Sequence, residues 1–190
     1  MQEHFEKVIG RLRTLEGLTE RLQTVEGGGG GVKIVAVKYA EFTGTQSNST
    51  AAGANFAITG LSIYHALSNV SNSVLLFGQI GVFGDSHDYG HRGAAFTADG
   101  TKIGVGDASG ARTQVGAGGI SSASNAIYVG NSLFLVDIFL PGTITPKTYK
   151  LEAINTVNAT RTVYINRLRS DYSPADPRGQ SSLTLLELKG

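Results

Sequence analysis

The sequence of 190 residues contains no cysteine. That absence excludes disulfide scaffolds, thiolate metal centres and cysteine nucleophiles. Proline is scarce, at 4 residues, and charged residues make up only 16% of the chain, below the usual quarter. The 16 basic and 15 acidic residues nearly cancel, for a net charge of +1. No general electrostatic attraction to nucleic acid or to an anionic membrane follows. A long apolar run is missing too. The longest, at 133–140, is interrupted by Asp137 and has the length of a strand, whereas a membrane helix needs ~18 apolar residues. The first residues, MQEHFEKVIGRLRTLEGLTERLQTVEG, carry charges throughout and lack the apolar stretch of a targeting signal. What is abundant is glycine, with 26 residues, beside a hydrophobic fraction of 41%. This composition fits one packed, turn-rich β domain with an appendage.

The chain divides into three parts. Residues 1–26 read as a helix with apolar side chains at Phe5, Val8, Leu12, Leu15, Leu18, Leu22 and Val25, in steps of 3, 4, 3, 3, 4 and 3. This is nearly a heptad seam, short of one residue between Leu15 and Leu18. Away from the seam the segment carries charges at Glu3, Glu6, Lys7, Arg11, Arg13, Glu16, Glu20 and Arg21. A seam this narrow suits self-association; docking along the chain's own domain is the alternative. Gly10 and Gly17 weaken the helix by roughly 1 kcal/mol each, so it needs partners to persist. Residues 27–31 are five consecutive glycines, a flexible joint with an r.m.s. span of roughly 12 Å. They do not fit a phosphate-binding loop, because no strand pattern precedes them and no Lys-Ser or Lys-Thr pair follows at the required place.

Residues 32–190 carry a β pattern throughout. Strand-like runs fall at 32–40, 56–63, 74–83, 94–97, 102–105, 126–129, 133–140, 149–154, 162–166 and 182–188. Turn-forming clusters at 44–53, 68–73, 99–100, 107–110, 141–146 and 170–180 separate them. Asp99-Gly100 between two short runs is a hairpin signal. Many short strands without helical periodicity predict a mainly β fold, a jelly-roll β-sandwich. Alternation then assigns faces. In Tyr149-Lys150-Leu151-Glu152-Ala153 the apolar residues point one way and the charged pair points towards water. Other strands are apolar on both sides. Val74, Leu76, Ile80 and Val82 oppose Leu75, Phe77 and Phe83; Phe134, Val136, Ile138 and Leu140 oppose Leu135 and Phe139; Leu183 and Leu185 oppose Leu186 and Leu188. One face of such a strand fills the core, and the other must meet a second subunit or a covering loop. Leu183, Leu185, Leu186 and Leu188 thus join the seven seam residues as candidate oligomerisation residues, with one leucine pair expected in the core.

Patterns that carry chemistry are sparse. Asp85, His87, Asp88, Tyr89 and His91 form the one polar cluster with ligand-type groups. Imidazoles and carboxylates suit Zn²⁺ or Ni²⁺, but an i, i+4 His pair faces one way only on a helix, and Gly84 and Gly90 mark a loop. These residues are read first as a solvated loop and next as a receptor-contact loop, without a metal; one His per chain meeting on a threefold axis is the remaining route to a metal. His4 and His65 have no evident partner. No Gly-x-Ser-x-Gly elbow follows a strand, so a Ser-His-Asp hydrolase is unsupported. A carboxylate pair for glycoside hydrolysis stays open. The glycine run at 104–110 joins β segments and does not open a helix, which makes it a turn and not a dinucleotide site. Arg161, Arg167, Arg169 and Arg178 gather near Tyr164 and Tyr172, diluted by Asp171 and Asp176. Subunit pairing or glycan contact explains them better than nucleic-acid binding. No cofactor and no enzymatic activity are expected.

The order of several segments resembles a known family. Thr148-Tyr149-Lys150-Leu151, Thr162-Val163-Tyr164-Ile165-Asn166-Arg167, Asp171-Tyr172, Arg178-Gly179 and Ser181-Ser182-Leu183-Thr184-Leu185-Leu186-Glu187-Leu188 are similar to the ending of fibre-type virion proteins of cyanophages and marine phages. IGVGDASGART at 103–113 and FAITGLSI at 56–63 resemble further runs of that family, so the likeness spans about residues 56–188. The resemblance implies a trimeric β-sandwich head of the complement-C1q or tumour-necrosis-factor type, presented on a virion assembled in the host cytoplasm. It implies partners of three kinds: two further copies of the chain, other virion proteins held through the N-terminal stem, and a host surface, with a glycan as candidate ligand. It brings no enzyme activity and no catalytic residues; from charge balance and the missing long apolar run, neither nucleic-acid binding nor membrane insertion is expected. The expected layout is a coiled-coil stem at 1–26, a glycine hinge at 27–31 and a jelly-roll head at 32–190. The short stem points to a short bacteriophage fibre or adhesin, a structural protein for host attachment. A capsid decoration or cement protein is the alternative, and a carbohydrate-active enzyme a more distant one.

Overall fold

The computed structural model describes residues 32–85, 91–107, 110, 112–120, 131–169 and 178–190. The expected stem, the glycine joint and the strand expected at 126–129 lie outside the described residues. Among the described residues all regular structure is β: β1 (Ile34–Phe42), β2 (Gln46–Thr50), β3 (Asn55–His65), β4 (Ser73–Asp85), β5 (His91–Ala98), β6 (Thr101–Ile103), β7 (Ala117–Ile120), β8 (Asn131–Phe139), β9 (Lys147–Asn155), β10 (Arg161–Ile165) and β11 (Ser181–Leu188).

The strands form two antiparallel sheets. Sheet I is built on the long β4. One edge of β4 pairs with β11 over its first half and with β10 further on; the other edge pairs with β8. β1 adds to β11, and β2 adds to β10. Sheet II runs β3-β9-β5, and β5 then pairs with both β6 and β7. The pairs β1/β11, β3/β9, β4/β8 and β5 with β6 and β7 are nested in chain order from the outside in. Folding such a nested ribbon over itself produces the two sheets of a jelly roll. The sheets stack closely: a Cβ at Gly78 of sheet I would lie 2.7 Å from the ring of Phe96 in sheet II. Between them lies one core, with Leu61 and Ile63 of β3, Leu76, Ile80 and Phe83 of β4, Phe96 of β5, Leu151 of β9, Ile165 of β10 and Leu183 and Leu185 of β11.

Two bulges keep apolar residues on the inner face where simple alternation would lose them. In β3, Phe56 and Ile58 are buried, then the phase slips and Leu61, Ile63 and His65 are buried. The pairing with β9 shifts between Ala57 and Ser62, around Gly60 at a φ of +76°, which a glycine adopts without a steric cost. In β4 the pairing with β8 shifts between Ile80 and Phe83. Phe83 therefore enters the core, and Val82 leaves it, reversing the faces that alternation assigned to these two residues. The hairpin at Asp99-Gly100 is present: both residues have positive φ, and Ala98 pairs with Thr101.

Two strands escape the pattern. Gln46–Thr50 lies inside the run expected as a turn, yet it pairs along β10. It is polar because it is an edge strand with only Thr50 buried. Ala117–Ile120 is too glycine-rich to read as a strand but pairs with β5. The strand expected at 102–105 ends at Ile103, because Gly104 turns the chain at a φ of +61°.

Buried asparagines tie the ends of the strands together. Asn166, wholly buried with a φ of +59°, donates through Nδ2 to the carbonyls of Phe42 and Gly44 and accepts at Oδ1 from the Ser181 hydroxyl. Its backbone N–H donates to Val82 O and its carbonyl accepts from Gly179 N. One side chain thereby joins the end of β1, the end of β10 and the start of β11. Asn155 does the same at the end of β9, donating to Thr50, Ala51 and Ala159 carbonyls. Replacing Asn166 by Ala leaves buried carbonyls and a hydroxyl without a partner, and we expect a loss of about 1–3 kcal/mol in urea unfolding. Asn166→Gly relieves the backbone but not the lost bonds, so it should also destabilise, by less. A neutral glycine variant would mean that conformation, and not the hydrogen bonds, matters at this site.

Candidate functional site: the outer face of sheet I

The register of sheet I lines up its outward side chains in rows. One row reads Val37–Leu186–Leu75–Ile138, and the next Tyr39–Thr184–Phe77–Val136. The third, Glu41–Ser182–Gln79–Phe134, is polar except at its end. Seven of the eight side chains in the first two rows are apolar or aromatic, and none is charged. Phe134 and Ile138 remain 61% and 60% exposed, and Val37 and Tyr39 are exposed as well. Phe77 and Phe134 stack at a tilt, with ring centroids 6.4 Å apart, which extends the apolar surface towards the third row. A contiguous apolar face of this kind marks a place of association. The outer face of sheet II contrasts with it. Glu152 accepts hydrogen bonds there from Asn55 and Thr97, beside Lys150. The charged pair of β9 does point away from the core, but Glu152 is only 7% exposed and is held by these partners, not by water.

The four C-terminal leucines divide between the two sides of β11. Leu183 and Leu185 are fully buried in the core, so they have no surface left for a partner chain. Leu186 and Leu188 are half-buried on the outer face. Of the four, only Leu186 and Leu188 lie on the outer face. Sequence reading grouped all four because β11 is apolar on both sides; only its place between β1 and β4 separates them.

The other candidates are placed as follows. Phe5, Val8, Leu12, Leu15, Leu18, Leu22 and Val25 lie outside the described residues. Asp85 closes β4 and His91 opens β5, at the end of the sandwich away from Leu188; their side chains, and His87, Asp88 and Tyr89, also lie outside. The described residues contain no cluster of three His, Asp or Glu able to hold a metal ion. Arg167 covers the ring of Tyr164 at 4.7 Å, a cation–π contact that accounts for part of the late arginine cluster.

His65 has a partner that the sequence did not reveal. On the inner side of β11, Glu187 is 1% exposed. Its Oε1 accepts from Ser68 N at 2.7 Å, from the Ser68 hydroxyl at 2.7 Å and from Asn72 Nδ2 at 2.6 Å; its Oε2 lies 2.9 Å from His65 Nε2. Asn72 Oδ1 in turn accepts from the terminal Gly190 N–H. The network fastens the end of β11, and hence Leu186 and Leu188, to the β3–β4 connection. Burial by itself raises the Glu187 carboxyl, but the donors on Asn72, Ser68 and His65 outweigh it and hold the group below the ordinary glutamate range. Nearby, burial first, then the charges of Asp99 and Glu187, push the Tyr149 phenol up to about 12.

No protein-family model and no curated protein matches this chain. Among solved structures, it is similar to infectious bursal disease virus strain Gx, at 14% identity and a TM-score of 0.33, over 82% of this chain and 37% of that one. It is likewise similar to the VP2 subviral particle of infectious bursal disease virus, at 12% identity and a TM-score of 0.27, over 82% of this chain and 40% of that one. The chain thus spans about two fifths of either. Likeness at this level does not bear on what the chain does.

The sign of the Glu187 shift sets an acid response. A folded pKa below the unfolded one contributes stability that is complete above the ordinary glutamate range and is lost as pH falls through the folded value. We expect the melting temperature to decline as pH is lowered through that region. Glu187→Gln should start lower at neutral pH and decline less steeply. An acid slope unchanged by this substitution would show that other carboxylates set it.

Proposed function

We propose that this chain is a small homotrimeric virion structural protein of the phage fibre type, whose jelly-roll head is displayed for contact with a host surface. The observation that carries the reading is the apolar outer face of sheet I, continuous over β1, β11, β4 and β8. A face that is uncharged in its two central rows is poorly suited to water and well suited to a copy of itself. The order of segments that resembles phage fibre proteins supports the virion reading. The heptad-like seam at 1–26 supports a stem that trimerises and holds the protein to other virion components, and the five glycines support a soft joint between stem and head. In this reading the head is non-catalytic, and the loop of Asp85, His87, Asp88, Tyr89 and His91 is the candidate contact with a host glycan.

Sedimentation at micromolar concentration should give a trimer. Phe77→Glu and Val136→Glu place carboxylates at the centre of the face without touching the core. Each should weaken association by about 2 kcal/mol or more, roughly 30-fold, while the cooperative melt of the head is retained. Because the stem is a second interface, the glutamate variants are read in a chain whose seam is broken by Leu15→Asp and Leu22→Asp. A monomeric wild type, or glutamate variants that in this background associate like their parent with Phe77 and Val136, would refute the interface. A monomer whose outer face becomes protected only on adding capsids would instead favour the decoration protein.

A further inference from the structure

Over the first half of β4, sheet I ends on β1 at one side and β8 at the other, and among the described residues neither pairs with a further strand. Free edges are templates for strand addition, and long apolar ones invite unlimited association. Both strands are long, at 9 residues each. Both expose apolar side chains: Val35, Val37 and Tyr39 on β1, Phe134, Val136 and Ile138 on β8.

Each edge strand also carries one charge on its inner side. Lys38 stands between Ala36 and Ala40 on β1, and Asp137 between Leu135 and Phe139 on β8. The register puts them at the two ends of a single inner row, Lys38–Leu185–Leu76–Asp137, whose two leucines are fully buried. Each charge closes one open flank of the sandwich. Lys38 reaches to sheet II, where its Nζ donates to the Tyr64 carbonyl of the edge strand β3 at 2.7 Å. On the opposite flank Asp137 occupies the space beside Gly104, just beyond β6. A Cβ at Gly104 would lie 2.5 Å from the Asp137 carboxylate, so any larger residue there would displace it.

We propose that Lys38 and Asp137 are edge guards that confine self-association of this protein to the outer face of sheet I. A strand added to β1 or β8 would extend the inner face past the guard and shut its charge between apolar rows, away from water. Association through the outer face leaves both charges as they are. Pairing β1 of one copy with β8 of another would bring the opposite charges together only if Lys38 left Tyr64 and Asp137 left its place at Gly104. The choice of the outer face rests on the subunit-interface reading; the guarding of the edges does not.

The test uses the full chain. Asp137→Val and Lys38→Val are expected to lose the discrete sedimentation boundary of the wild type and to grow into heterogeneous assemblies that bind thioflavin T, with a cooperative melt retained on dilution. Asp137→Lys and Lys38→Glu disturb the same places but keep a charge, and should sediment like the wild type. Valine variants that keep the discrete boundary would overturn the proposal. So would charge-retaining variants that assemble as readily as the valine ones, because lost folding and not lost charge would then be the cause. If the wild type sediments as a monomer and the valine variants still elongate, the subunit interface fails and the edge guards stand.

Discussion

The last strand of the chain lies between the first and the longest, and the rest of the head depends on that insertion. β11 has β1 on one side and β4 on the other, so sheet I is not continuous until residues 181–188 are in place. Its inner leucines complete the core and its outer ones belong to the exposed face. Both ends of the strand are fastened by buried polar groups. At the start the Ser181 hydroxyl donates to Asn166, and at the end Glu187 collects donors from Ser68, Asn72 and His65. These two anchors set the register. A slip of one residue would turn Glu187 out to the apolar face and Leu186 into the core, losing the network and burying nothing better. The contacts involved are distant in sequence, so the head belongs to the topologies that fold slowly.

The molecule is unequal on its four sides. The outer face of sheet II is polar and partly sealed by its own hydrogen bonds, as at Asn55, Thr97 and Glu152. The two flanks are closed by Lys38 and Asp137, each reaching from sheet I towards sheet II. Among the described residues, what remains open and apolar is the outer face of sheet I. The electrostatics agree with this division. Glu187 is stabilised as an anion by converging donors, whereas Asp137 is raised by burial, against a weaker opposing effect of the Ile138 N–H. A carboxyl with a built site fixes register; one without it is tolerated at an edge because it restrains growth there.

Local pattern made much of this architecture legible. Alternation located most of the strands. The Asp99-Gly100 turn followed from the two residues that most readily take positive φ. The two-faced runs at β4, β8 and β11 already implied that the outer surface of a sheet would be apolar, to be met by a second subunit or a covering loop. The pattern was poor where a strand is held by its edges and not by its side chains, as with Gln46–Thr50 and Ala117–Ile120, since backbone pairing leaves little trace in composition.

The sequence by itself determined that residues 32–190 are mainly β, that their core is built from alternating apolar residues, and that several strands are apolar on both sides, because these properties repeat within a few residues. Tertiary structure alone decided which side of each strand faces inward after a bulge, so that Phe83 and not Val82 fills the core. It decided that Leu183 and Leu185 are internal while Leu186 and Leu188 are outward. It also decided that His65 meets Glu187, a pair separated by 122 positions. The physical reason is the same in each case. The direction of a side chain is local and periodic, whereas its neighbour across a sheet or between sheets is set by register. Register follows from bulges and buried polar anchors contributed by distant parts of the chain.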